Sequence, residues 1–204
     1  MAQIRNPAVP NLPIAPAQYD QRQAEQLTRD LRTYFNKLFT AMEPLLLGFN
    51  HYGVFVRAAD ATNPVGAAEN LVEFDTTVES FGVALDAGTA SRIVVARPGV
   101  YNFQFSAQLD QFGGTAQAVN FWIKVNGTAV ANTARKSVIG DASDETTAAW
   151  NYTLTLQSGD YLELAWSSAD TGVLLQAEAA ASPVPAIPAV VMTVNYLFPN
   201  DAAR

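Results

Sequence analysis

The chain has 204 residues, of which 49% are hydrophobic and 15% charged, and it carries a net charge of −7 with no cysteine. That length suits one ordinary domain and an appendage, and the apolar content is too high for a disordered chain. An acidic chain whose only lysines are Lys37, Lys124 and Lys136 lacks the basic stripe that binds phosphates, so no nucleic-acid partner is expected. Without cysteine there are no disulfides, thiolate zinc sites or cysteine nucleophiles. No apolar h-region of a secretory signal and no run of about 18 apolar residues is visible, so no membrane insertion is expected.

Residues 1–19 read as an extended arm. Pro7, Pro10, Pro13 and Pro16 recur every third residue, the period of polyproline II, so their rings line one face. Val9, Leu12 and Ile14 between them are apolar, whereas a flexible linker would be polar and glycine-rich. These seven residues are the expected anchoring contacts. A stiff spacer without a partner is the alternative.

Residues 20–48 read as one helix. Ala24, Leu27, Leu31, Tyr34, Leu38, Ala41 and Leu45 follow a 3-4 rhythm, so one apolar seam runs along one side. Such spacing suits a partner helix of the same kind, and Phe35 and Met42 widen the stripe enough to favour three strands. Leu27, Leu31, Tyr34 and Leu38 are the expected trimerisation contacts. Asp20 or Gln18 is expected to start this helix, and Pro44 with Gly48 to stop it. The alternative is a single amphipathic helix folded back on its own β-domain.

From residue 49 to 204 the helical period gives way to short strand-like runs. Gly99–Gln111 alternates Tyr101, Phe103, Phe105, Ala107 and Leu109, and Tyr161–Ser167 alternates Leu162, Leu164 and Trp166 against Tyr161, Glu163 and Ala165. Turn signals separate the runs: Pro98-Gly99, Gly113-Gly114, Asn126-Gly127, Ser158-Gly159 and Thr171-Gly172. Asn126-Gly127 is a hairpin signal because both residues accept positive φ. The alanine- and proline-rich segment 177–189 reads as a surface loop before the last strand, Val190–Phe198. The expected class is mainly β, with an N-terminal arm and one helix followed by an antiparallel sandwich.

Three stretches carry a family resemblance: IVVARPGVYNFQFSAQLDQ (93–111), FWIKVNGTAVANTARKSV (121–138) and YTLTLQSGDYLELAW (152–166), with VVMTVNYLF as the closing strand. Together they resemble the globular head shared by complement-type and tumour-necrosis-factor-like proteins. They are more closely similar to the versions found in structural proteins of tailed bacteriophages. The resemblance implies a ten-stranded jelly roll that assembles as a compact homotrimer on a helical stalk. It implies a place in the virion, after synthesis in the host cytoplasm, as a capsid decoration or head fibre held by other virion proteins of the capsid, tail or portal. The alternative it leaves is a tail fibre or adhesin whose head recognises a host surface glycan or protein.

Catalytic chemistry is sparse. His51 is the single histidine and falls at the start of a strand, where a structural role is expected. No Walker pattern or dinucleotide fingerprint is present. Asp141, Asp144 and Glu145 cluster without the spacing of an EF-hand, so no metal or other cofactor is expected. Asp110, Asp160 and Glu163 near strand ends are the remaining carboxylates, and no enzymatic activity is expected. Phe112, beside Gly113-Gly114, joins Asp141, Asp144 and Glu145 as the candidate ligand-facing loop residues.

Overall fold

The computed structural model describes residues 21–48, 51–141 and 144–199. The arm residues Pro7, Val9, Pro10, Leu12, Pro13, Ile14 and Pro16 lie outside the described residues. The chain divides into two compact units, one up to Phe49 and one from Asn50 to Asn200.

The first unit contains helix α1, Gln21–Gly48. Its seam residues Ala24, Leu27, Leu31, Tyr34 and Leu38 are half-buried, while Phe35, Phe39 and Met42 are 59%, 65% and 43% exposed. The Thr28 and Thr33 hydroxyls donate to the Ala24 and Arg29 carbonyls, which removes two polar groups from competition with the helix. The helix begins at Gln21, after the expected cap. It runs on through Pro44 and ends at Gly48, the second residue of the expected stop. Proline removes only one of the ladder bonds, and its cost of about 3 kcal/mol interrupts a helix only when the neighbouring turns cannot carry it.

The second unit is a β-sandwich. In chain order its strands are β1 (Tyr52–Arg57), β2 (Ala61–Thr62), β3 (Asn70–Leu71), β4 (Thr76–Phe81), β5 (Val83–Leu85), β6 (Ile93–Val95), β7 (Gly99–Gln111), β8 (Gln117–Val125), β9 (Thr128–Ala129), β10 (Arg135–Ile139), β11 (Glu145–Leu156), β12 (Tyr161–Ser168), β13 (Val173–Leu175) and β14 (Val190–Phe198). The first sheet runs β11-β7-β14-β1-β4, with β13 paired to the last residues of β7 and β2 paired to β13. The second runs β10-β8-β12-β6-β5, with β3 beside β12 and β9 closing a hairpin on β8. All named strand pairings are antiparallel. The two five-stranded paths supply the ten principal strands of a jelly-roll-like sandwich; β2, β3, β9 and β13 are short additions.

The alternation that marks β7 fills the space between the sheets. Tyr101, Phe103, Phe105, Ala107 and Leu109 point inward from the first sheet, and Phe121, Ile123, Leu162, Leu164 and Trp166 from the second. The Phe105 ring lies 5.3 Å from Phe121 and 5.7 Å from Trp150, which welds the two layers at mid-height. Asn126 and Gly127 both have positive φ, 50° and 78°, the conformation of a two-residue hairpin turn. Segment 177–189 is exposed over 178–186 and folds on itself through bridges Glu178–Ile187 and Ala181–Val184.

The structure departs from the sequence pattern at two places. Strand β4, TTVESF, has no counterpart in the sequence reading; it is exposed at every position and pairs only with β1 as an edge. Glu163 and Ala165 are buried although alternation puts them on the outside of β12. The chain itself covers that outer face, as the Ser91–Arg92 loop closes over Glu163.

Candidate functional site

The register of the strands fixes two ends of the sandwich. At one end β1 begins, β14 finishes and β7 begins: Tyr196 N donates to His51 O at 2.8 Å, and Phe198 pairs with Val100. At the other end β7 finishes, opposite the start of β13 (Gln111–Val173) and the start of β11 (Asp110–Glu145). The 13 residues of β7 separate these ends by roughly 40 Å.

The far end gathers the loops that hold the sequence-predicted ligand residues. Phe112 is 70% exposed, and Asp141, Asp144 and Glu145 are exposed beside it on the same end. Beneath Phe112 the backbone is fixed. Its amide donates to Gly172 O at 3.0 Å, and buried Gln111 Nε2 donates to the carbonyls of Gly113 and Thr115 at 2.8 and 2.9 Å. Gly113 and Gly114 have φ of 92° and 97°, which an L side chain rarely adopts. Asn63, 1% exposed, donates to Ser168 O and Asp170 O at 2.9 and 2.8 Å and so ties loop 63–70 to loop 168–172. Asp170 in turn accepts from Gly172 N at 2.8 Å. The result is a platform of three interlocked loops from which Phe112 and Val65, 61% exposed, project. Sequence reading found Phe112 and missed Val65, because the loop carrying Val65 meets its neighbours across about a hundred residues.

The carboxylates do not converge into an ion site. Asp144 N donates to Asp141 O at 3.0 Å, so this turn is held by its backbone. Among the described residues no group of three or more acidic or histidine side chains is placed to hold a metal ion.

The outer faces of the two sheets differ. On the first sheet the outward residues are Thr147, Ala149, Asn151, Thr153 and Thr155 of β11, Val100, Asn102, Gln104, Ser106 and Gln108 of β7, Val191, Thr193, Asn195 and Leu197 of β14, and Tyr52, Val54 and Val56 of β1. None carries charge; Asp110 and Glu145 at the far end and Glu79 on the edge strand border the face. Near the chain-entry end this face turns aromatic: Tyr52 is the cross-strand partner of Phe81, and Tyr52, Phe81, Leu197 and Phe198 are 37%, 58%, 36% and 47% exposed. The sequence reading did not find this patch, since it assembles from residues 52, 81 and 197–198. On the second sheet the outer face carries paired charge. Lys124 bonds Glu69, and Arg92 Nε lies 3.6 Å from the carboxylate of Glu163, which also accepts from Ser91 Oγ at 3.0 Å. The Arg92 guanidinium sits 4.4 Å from the Tyr161 ring centroid.

The shifted titrating groups belong to the interior. Burial pushes the Tyr101 hydroxyl up to about 12, helped by neighbouring Tyr196, while its hydrogen bond to Arg97 O at 2.8 Å opposes the rise. Burial also raises Tyr152, partly offset by Arg135. His51 packs against Phe81 and Tyr196 with ring centroids 5.6 and 5.8 Å away, at the entry end.

No family model and no curated protein matches the chain. Among solved structures it is similar to the globular domain of the zebrafish complement 1qA protein, with a TM-score of 0.44 and 12% identity over 74% of this chain and 99% of that one.

Proposed function

We propose that the chain is a homotrimeric, non-enzymatic structural protein of a bacteriophage particle, a capsid decoration or head-fibre appendage anchored through its N-terminal arm. The observation that carries the assembly is the uncharged outer face of the first sheet. Four strands spaced by about 4.8 Å and about 30 Å long present roughly 600 Å², about three quarters of the ~800 Å² per partner of a stable interface. Small uncharged side chains with an aromatic margin suit self-association, whereas isolated charges would lose their hydration there. The seam Leu27, Leu31, Tyr34 and Leu38 gives each copy a second contact of the same kind. The arm then docks on a capsid or tail surface, and the phage assignment itself is supported by the sequence resemblance.

Sedimentation of the full chain at micromolar concentration is expected to give a species of three times 21.9 kDa; a single 21.9 kDa species overturns the assembly. Deleting residues 1–20 is expected to leave that species intact and abolish co-sedimentation with particles, and retained binding overturns the anchoring role.

A second reading is favoured by the rigid far-end platform. Phe112 and Val65 project from loops held by internal hydrogen bonds, a pre-organised presentation that lowers the entropic cost of binding a host glycan or protein. Adsorption of the purified head to host cells, lost on Phe112→Ser, is the expected outcome of that reading.

A further inference from the structure

The two five-stranded paths of the sandwich leave four edge strands, β4 and β11 on the first sheet and β5 and β10 on the second. A free edge offers unpaired N–H and C=O groups to any other strand, so soluble proteins shorten, charge or bend it. Three of the four are treated this way. β5 has three residues, β10 carries Arg135 and Lys136 within five, and β4 carries Glu79 and a register shift opposite Val54 and Phe55. β11 is not. It runs for 12 residues in unbroken register with β7, and from Thr146 to Leu156 it holds no charge, proline or glycine. Its inward side is also incompletely closed. Trp150 and Leu154 are half-buried, whereas Tyr101, Phe103, Phe105, Ala107 and Leu109 of β7 are at most 2% exposed.

A ring of three closes only through contacts between two different surfaces, so the uncharged face of the first sheet cannot meet itself there. The β11 side has the size of a counterpart. It is about 40 Å long and, with the sheets about 10 Å apart and half a strand spacing at each margin, about 15 Å wide. The face across β7, β14 and β1 is about 14 Å wide and about 30 Å long. Together the two patches come to about 1,000 Å², the size at which an interface becomes specific. Their chemistry also matches. Gln104, Thr193 and Asn195 in the middle of the face each donate and accept hydrogen bonds, as the alternating N–H and C=O groups of a free strand edge require.

We infer that the β11 side of each head seats on the β7-β14-β1 face of the next copy, where Gln104, Thr193 and Asn195 meet the free backbone groups of β11. This inference rests on the trimeric reading and names the second surface which that reading needs. Three-fold symmetry holds the copies in one sense, so their entry ends lie level. Leu154, near the entry end of β11, then faces the aromatic margin of Tyr52 and Leu197 on the next copy.

The absence of native cysteine allows a direct test in the full chain. Three cysteine pairs are level in the sheet: Thr153→Cys with Asn195→Cys, Asn151→Cys with Thr193→Cys, and Ala149→Cys with Val191→Cys, aligned through Asn102, Gln104 and Ser106. Within one chain β7 lies between the two strands, so the members of a pair stand about 10 Å apart, beyond the ~7 Å that a disulfide spans between Cα atoms. Any disulfide therefore joins two copies. Under mild oxidation at least one pair is expected to give a covalent species of three times 21.9 kDa on a non-reducing denaturing gel, and no single variant a covalent dimer. A trimer in sedimentation with no disulfide from any pair overturns the inference and leaves the assembly standing. A covalent dimer from a single variant also overturns it, since the same surface then meets itself. A single 21.9 kDa species in sedimentation of the unaltered chain overturns the assembly, and the inference with it.

Discussion

The two sheets of the sandwich bury the same kind of surface inward and present opposite surfaces outward. Inside, Phe103 and Phe105 of β7 meet Phe121 and Trp166 of β8 and β12, all at most 2% exposed. Outside, the second sheet carries Lys124, Arg92 and Glu163 in pairs, and its own loops cover part of it. The outward residues of four strands of the first sheet are uncharged short of Asp110 and Glu145 at the far end. A face that its own chain covers keeps its charges because partners satisfy them. A face that another copy would cover avoids them, since three like charges brought together are unfavourable.

The comparison can be broken first at its common ground. Trp166→Ala in the second sheet and Phe103→Ala in the first are each expected to cost about 3–5 kcal/mol by chemical denaturation, because both leave cavities in the shared core. A cost confined to one of them would mean that the sheets do not share one core. Next comes the outside. Gln104 is exposed at the centre of the first face, between Asn151 and Thr193. Gln104→Arg is expected to weaken self-association by several kcal/mol in sedimentation, while Lys136→Glu on the second sheet leaves the mass unchanged.

A smaller difference lies in the tyrosines. Tyr101 is buried in the first sheet with its hydroxyl raised to about 12, against about 10 in an unfolded chain. The folded state therefore holds that proton more tightly. Its stabilising contribution is complete below pH 10 and is lost as pH rises to 12, by roughly 2–3 kcal/mol. Denaturant melts between pH 9 and 12 are expected to show this loss, and Tyr101→Phe to flatten it. The smallest effect is at the far end, where Phe112→Ser is expected to change stability by less than about 0.5 kcal/mol. A larger loss would make Phe112 a structural residue and remove it from the ligand surface.

Where one face of a strand is buried and the other wet, the sequence was readable. Strands β7 and β14 fall at the expected residues because inward residues alternate through their length. Strand β4 escaped because both of its faces are wet, so TTVESF has no apolar rhythm, and only its pairing with β1 makes it a strand. The burial of Glu163 was not legible, because it depends on the loop supplying Ser91 and Arg92, which closes over it from about seventy residues away. At the candidate site, Phe112 was legible as a large aromatic next to two glycines. The entry-end patch of Tyr52, Phe81, Leu197 and Phe198 was not, since nothing local marks residues so far apart in sequence as neighbours.

The sandwich receives and releases its backbone at the same pole, where His51 and Tyr196 share a hydrogen bond. A passenger polypeptide joined after Phe198 would therefore emerge beside the entry strand and crowd the aromatic margin there. Peptide grafted between Gly113 and Gly114 would instead sit roughly 40 Å away, on backbone already bent to φ of 92° and 97°. For displaying an epitope, the far end is the open pole, at the cost of the Gln111 bonds to Gly113 and Thr115, and the entry pole is the crowded one.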